Sequence, residues 1–280
     1  MDPTVAFQPA RLPREDGILG LGQSAILIRL LGGFLLLKGD QPITLRNRGK
    51  TEALLSHLAI QHDYRAARDT LLHALWPTGD PHLTGQSLHS LVHNLHKLVG
   101  DALGGAHPVV YDEGHYRLNI EAGITIDVSI FDALADAGDH QYQLGHKEAA
   151  VGQYAHAVEL YRGDLWFHAA DVSADMQALL EGERLRARYL TLLARLADYH
   201  YSIRDYPICL AHAWSLLSRD PWREDAHRLV MRCHVQQGER AEALRHYQLC
   251  EKILRTELGA APETATRALF EQIRFDPAGL

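Results

Sequence analysis

The chain has little of what several large functional classes require. Among its 280 residues there are three cysteines, Cys209, Cys233 and Cys250, an odd number with no C-x-x-C pairing. That usage excludes a disulfide framework and suits a reducing compartment. No long hydrophobic run is present either. The most apolar stretch, Ala25 to Leu37, is interrupted by Arg29, Gly32 and Gly33 and is too short to cross a bilayer. Residues 1–23 carry prolines, charges and glycines where a secretory signal would need an apolar core, so a cytoplasmic protein without membrane association is expected. Catalytic signatures are lacking as well. The chain contains no G-x-S-x-G, no phosphate-cradling glycine loop and no H-E-x-x-H, and neither an enzyme nor a cofactor is expected. Positive charge is also scarce: 28 Lys and Arg stand against 35 Asp and Glu, a net charge of −7, which argues weakly against nucleic acid as a partner.

Histidine, by contrast, is plentiful. Half of the 18 fall within residues 25–125, a span whose lysines and arginines balance its acids. Because histidine titrates near neutral pH, that formal neutrality is conditional.

The organising stretch is Thr84 to Val99, TGQSLHSLVHNLHKLV. Leu88, Val92, Leu95 and Val99 recur at helical spacing, which predicts one stripe against a core. The opposite stripe carries Gln86, His89, Ser90, His93, Asn94 and Lys97, hydrogen-bonding side chains of a reach suited to base edges in a DNA groove. Only Lys97 among them is a fixed cation. His89, His93 and His96 could share the arginine role if phosphates protonate them, in which case binding tightens as pH falls through about 6.5. The same spacing would also suit a metal, but no acidic or cysteine ligand lies nearby, and none is expected. The plainer alternative is a set of ordinary solvent-facing polar residues.

Around this helix the chain reads as an ordered series. Residues 1–24 form a leader without periodicity. Ile26 to Leu31, Phe34 to Lys38 and Pro42 to Leu45 read as short strands, Arg48 to Gln61 and Ala66 to Leu75 as helices, and Thr78 to Leu83 as a loop. After the organising helix, Val109 to Tyr111 and Tyr116 to Asn119 flank an Asp-Glu-Gly turn. A small sheet, three helices and a trailing hairpin over residues 25–127 make a winged helix-turn-helix, whose third helix enters the major groove. The candidate fixed phosphate cations are Arg46, Arg48, Lys50, Lys97 and Arg117, and His115 on the wing is a further candidate DNA-binding residue. With so few, one protomer binds weakly, and useful affinity calls for a homodimer on DNA.

Residues 128–280 read as almost entirely helical. Phe131 to Leu144 pairs with Lys147 to Tyr161, Met176 to Arg204 with Pro207 to Arg219, and Glu224 to Gln237 with Arg240 to Leu258; Glu263 to Ile273 caps them. The turns at Asp205-Tyr206 and Glu239-Arg240 are 34 residues apart (239 minus 205), the tetratricopeptide period, which predicts a stacked docking surface. The fold class is therefore mainly α with a small β component.

The residues also carry a family resemblance. IRLLGGF at Ile28 to Phe34, ALLSHLA at Ala53 to Ala59, LLHALWP at Leu71 to Pro77 and GHYRL at Gly114 to Leu118 resemble a response-regulator-type winged helix of the antibiotic regulatory (SARP) family of bacterial transcriptional activators. YRGDLW at Tyr161 to Trp166, RDPWREDAHRLVM at Arg219 to Met231, GERAEALRHY at Gly238 to Tyr247 and LRTELGAAPE at Leu254 to Glu263 resemble that family's activator domain. The resemblance implies a regulator that binds repeated promoter sequences in double-stranded DNA, often as a side-by-side dimer, and contacts RNA polymerase. Where the family usually carries arginines along the opening helix, this chain has Gly85, His89, Asn94, His96 and Lys97. A protein-interaction scaffold descended from such a regulator is the alternative.

Overall fold

The computed structural model describes residues 25–45, 48–167 and 176–276, together with the side chains in those spans except Arg48, Pro81 and His82. The expected leader and Arg46 lie outside the described residues.

Two small sheets frame three helices in the N-terminal half. β1 (Ile26–Arg29) pairs antiparallel with β2 (Leu35–Lys38), and β2 with β3 (Gln41–Pro42). Ile26 and Ile28 alternate inward with half-buried neighbours, the pattern of a strand with one core face. α1 (Arg48–Ile60), α2 (Arg68–Leu75) and α3 (Pro81–Val99) follow. β4 (Arg65–Ala67) joins β5 (Val109–Asp112) and β6 (His115–Leu118) in the order β4-β6-β5. β7 (Ile124–Ile126) runs parallel to β1 and completes the first sheet, β3-β2-β1-β7.

Several boundaries differ from the sequence expectation. The second helix begins at Arg68 rather than Ala66, because Arg65–Ala67 pairs with β6 and turns the expected hairpin into a three-stranded sheet. Residues 81–83, read as loop, open α3: proline suits a first helical position, where its missing N–H is not needed, and the Asp80 carboxylate accepts from the Leu83 N–H at 3.4 Å. The third strand stops at Pro42 instead of continuing to Leu45. β7 had no expectation at all; three residues show no usable periodicity, and its partner is nearly a hundred positions away.

The second half stacks α4 (Asp127–Gln143) on α5 (Lys147–Leu160), α6 (Met176–Ser202) on α7 (Tyr206–Arg219), α8 (Glu224–Gln236) on α9 (Arg240–Ile253), and closes with α10 (Thr264–Phe275). Each pair turns in the same way. The amides of His146, Asp205 and Glu239 donate to the carbonyls of Gln141, His200 and His234 at 3.0, 2.8 and 2.8 Å. The preceding residues, Gly145, Arg204 and Gly238, all have positive φ, at 83°, 63° and 80°. The 34-residue offset read from sequence thus corresponds to one repeated turn geometry.

The two halves share a continuous core. Gly32, with φ 86°, lies so close to Gly163 that a Cβ on Gly32 would stand 2.8 Å from the Arg162 carbonyl carbon and the Gly163 nitrogen. The Gly32 amide donates to the Asp164 carbonyl at 3.1 Å and the Trp166 amide to Leu30 at 2.8 Å. Asp127, only 2% exposed, accepts from the amides of Leu30 and Leu31, one on each carboxylate oxygen, both at 2.8 Å. Burial pushes its carboxyl up to about 6 even though those amides favour the ionised form.

Candidate nucleic-acid interface

α3 presents two distinct faces. Leu88, Leu91, Leu95 and Val99 are buried, with Val92 half-buried beside them. Gln86, His89, Ser90, His93, Asn94 and Lys97 are all exposed on the other side. The expected polar stripe is therefore continuous from Gln86 to Lys97.

His96 is not part of it. Its ring stacks on His107 with centroids 4.0 Å apart and packs over Gly100, so the expected imidazole trio reduces to His89 and His93. It lies in the last turn of α3, where His107, in the segment leading into β5, reaches it.

Two clefts flank the polar stripe. One, of about 610 Å³, is lined by Lys50, Trp76, Gln86, Ser90 and Asn94 among others. The second, of about 480 Å³, brings Asn94 and Lys97 together with Thr44, Leu45 and Thr51. Asn94 borders both. Lys50 is less available than its sequence position suggested: its ammonium donates to the Leu75 carbonyl and lies 5.4 Å from the centre of the Trp76 ring. It anchors the start of α1 to the end of α2, where the helix C-terminus favours a cation.

The wing carries further positive charge. Arg117 on β6 stands directly opposite Arg65 on β4, and Arg65 Nη2 lies 3.1 Å from His115 Nδ1. The same Nδ1 lies 3.0 Å from the Glu113 carbonyl, so it accepts from Arg65 or donates to Glu113 according to which tautomer the ring adopts. Like charges directly opposed across strands destabilise a sheet unless an anion lies between them. Arg68, at the start of α2, sends its guanidinium across the space a side chain at position 85 would fill, and its amide donates to the Gly114 carbonyl at 2.9 Å. Arg65 and Arg68 were missed from the sequence because Arg68 sits within, and Arg65 just before, a stretch that read as a helix. The pairing that turns Arg65 toward Arg117 is tertiary. Acids are interleaved here too, since exposed Asp69 lies 3.4 Å from Arg68. Among the described residues no group of three or more metal-ligating side chains is present.

A small sheet, a three-helix unit with an amphipathic third helix and a β wing make a winged helix-turn-helix, and stacked helical pairs follow it. The model of the bacterial transcriptional activator domain matches residues 126–274. The chain belongs to that family and is a transcriptional regulator. It is 26% identical over 235 residues to the regulatory protein DnrI of Streptomyces peucetius, covering 81% of this chain and 85% of DnrI. To the transcriptional regulatory protein EmbR of Mycobacterium tuberculosis it is 29% identical over 230 residues, covering 80% of this chain and 57% of EmbR. The solved structure of that EmbR in complex with a low-affinity phosphopeptide superimposes with a TM-score of 0.70 at 25% identity, covering 90% of this chain and 65% of that one. Among the described residues no helix is long and apolar enough to cross a membrane.

Proposed function

We propose that residues 25–127 bind promoter DNA, with α3 in the major groove and the wing on the adjoining backbone, and that residues 128–280 dock RNA polymerase or a second protomer. The observation that carries this reading is the unbroken exposed stripe from Gln86 to Lys97 on a helix whose other face is buried. Asn94 is the base reader, suited to a bidentate pair with adenine, and Gln86 has the same capacity. Ser90, His89 and His93 supply further polar contacts. Lys97, Arg117, Arg65 and Arg68 neutralise phosphates, assisted by His115, with Arg46 and Arg48 adding charge before and at the start of α1. Lys50 acts by holding α1 to α2.

About four phosphate contacts per protomer give a salt slope of roughly −3.6 in log K against log[salt], which doubles for a homodimer. The protein works in the cytoplasm, where promoter DNA and polymerase are found. The test is capture of genomic fragments followed by salt titration on the best one. Asn94→Ala is expected to lower specific affinity roughly 5- to 100-fold while leaving the fold and non-specific binding intact. An intact protein that captures no fragment above background, yet still engages partners through its repeats, would instead be a scaffold, as the Arg68–Asp69 pair and the engaged Lys50 favour.

A further inference from the structure

The sulfur atoms of Cys209 on α7 and Cys233 on α8 lie 3.3 Å apart, and both side chains are 0% exposed. These are neighbouring helices from successive pairs, α7 closing one and α8 opening the next. A disulfide bond is about 2.05 Å long, so roughly 1.2 Å of approach would close it. We propose that Cys209 and Cys233 are a redox pair, joined by hydrogen peroxide or a related hydroperoxide into a disulfide that fixes one helical pair against the next.

The chemistry balances without another reductant or oxidant. The Cys233 thiolate attacks one peroxide oxygen, the O–O bond breaks, and the departing hydroxide takes a proton and leaves as water. The sulfenic acid left on Cys233 is then attacked by the Cys209 sulfur, which loses its own proton as hydroxide departs from the Cys233 sulfur as a second water. Two thiols are oxidised and one peroxide is reduced. The division of roles follows from the contact. Their shared hydrogen bond holds the Cys233 thiol below its ordinary value and, with burial, pushes Cys209 above it, and the 3.3 Å contact places the Cys209 sulfur to resolve a sulfenic acid on Cys233 as the helices close again.

The third cysteine provides an internal control. Cys250 on α9 is equally buried, and burial pushes its thiol up to about 12, which leaves almost no thiolate near neutral pH. Burial of the pair sets the rate: peroxide reaches it only when α7 and α8 separate transiently, so oxidation is slow in the native state and is then protected from casual reduction. The resulting cross-link closes a 24-residue separation in sequence and stabilises the repeats against unfolding.

The full-length protein, treated natively with excess hydrogen peroxide, alkylated and digested with trypsin, reads the outcome directly. The expected product links peptide 205–219 to peptide 233–240, is lost on treatment with dithiothreitol, and leaves peptide 246–252 alkylated at Cys250. The oxidised protein is also expected to melt at a higher temperature than the reduced one. In Cys209→Ser, Cys233 should accumulate as a sulfenic acid that dimedone traps, a species absent from the wild type. The proposal is overturned if both peptides stay reduced, if Cys233 proceeds to an unlinked sulfinic acid in the wild type, or if linkage is to Cys250 or between chains. Because the wild-type digest is decisive, the result does not depend on how well the serine variant folds.

Discussion

Replacing His246 with glutamine should remove much of the acid sensitivity of the helical repeats. The imidazole is 5% exposed on α9, its Nε2 lies 2.9 Å from His227 Nδ1, and Trp214 packs edge-on against its ring. Burial, reinforced by His227 and His234, lowers its pKa from 6.5 to about 3. The unfolded chain therefore binds a proton below pH 6.5 that the folded chain refuses. Stability from this group is complete above pH 6.5 and is lost as pH falls toward 3. Between pH 7 and pH 5 the unfolded imidazole becomes almost fully protonated while the folded one stays neutral, a loss of about 2 kcal/mol. For a chain of this size that corresponds to roughly 4 °C in Tm. Glutamine stays neutral throughout and retains hydrogen-bonding atoms for His227, so His246→Gln should lose stability at pH 7 through poorer packing but change about 2 kcal/mol less than wild type between pH 7 and pH 5. His212, lowered to about 4 by burial and by His200, remains in both proteins and accounts for part of the remaining slope. Urea unfolding at the two pH values is the assay. Equal pH dependence in wild type and variant would refute the assignment of a neutral, buried His246.

Three further outcomes follow from the geometry. Asp127 has the opposite sign: burial raises its carboxyl to about 6 from 3.8, so the folded state binds the proton more tightly and this group adds stability as pH falls through that window. Asp127→Asn should therefore remove a gain of about 1 kcal/mol between pH 7 and pH 5, measured by the same urea titrations. Gly32→Ala places a Cβ against the backbone of Arg162 and Gly163 at a positive φ, so it should cost ~1–2 kcal/mol for the backbone alone and more for the clash; thermal unfolding and loss of amide protection at Gly32 and Trp166 would show it. Arg117→Ala, on the wing sheet opposite Arg65, should weaken DNA binding evenly across sequences and reduce the magnitude of the salt slope by about 0.9. An unchanged slope would remove Arg117 from the phosphate contacts, whereas a change confined to one DNA sequence would make it a base reader.

Whatever repeats at helical or 34-residue spacing was legible in the sequence. The polar stripe of α3, the buried stripe behind it and the helical pairs that turn at Asp205 and Glu239 all appear where their periodicity placed them. Each is a local pattern, in which neighbours in sequence settle which face meets the core. What tertiary structure alone decided involves partners distant along the chain. β7 could be identified only by its pairing with β1, and β4 only by its pairing with β6, since strands this short carry no periodic signal. Lys50 reads as a free cation until Leu75 and Trp76 are brought to it, and His96 as a groove residue until His107 stacks on it. The join between the halves was equally hidden. Its glycines and Asp127 stand in recognisable stretches, but only the close approach of Gly32 to Gly163 explains why a side chain is excluded there, and only the two amides of β1's end explain a buried carboxylate. Sequence by itself determined the two-faced pattern of α3; the packing of distant segments decided which polar and charged groups stand exposed beside it.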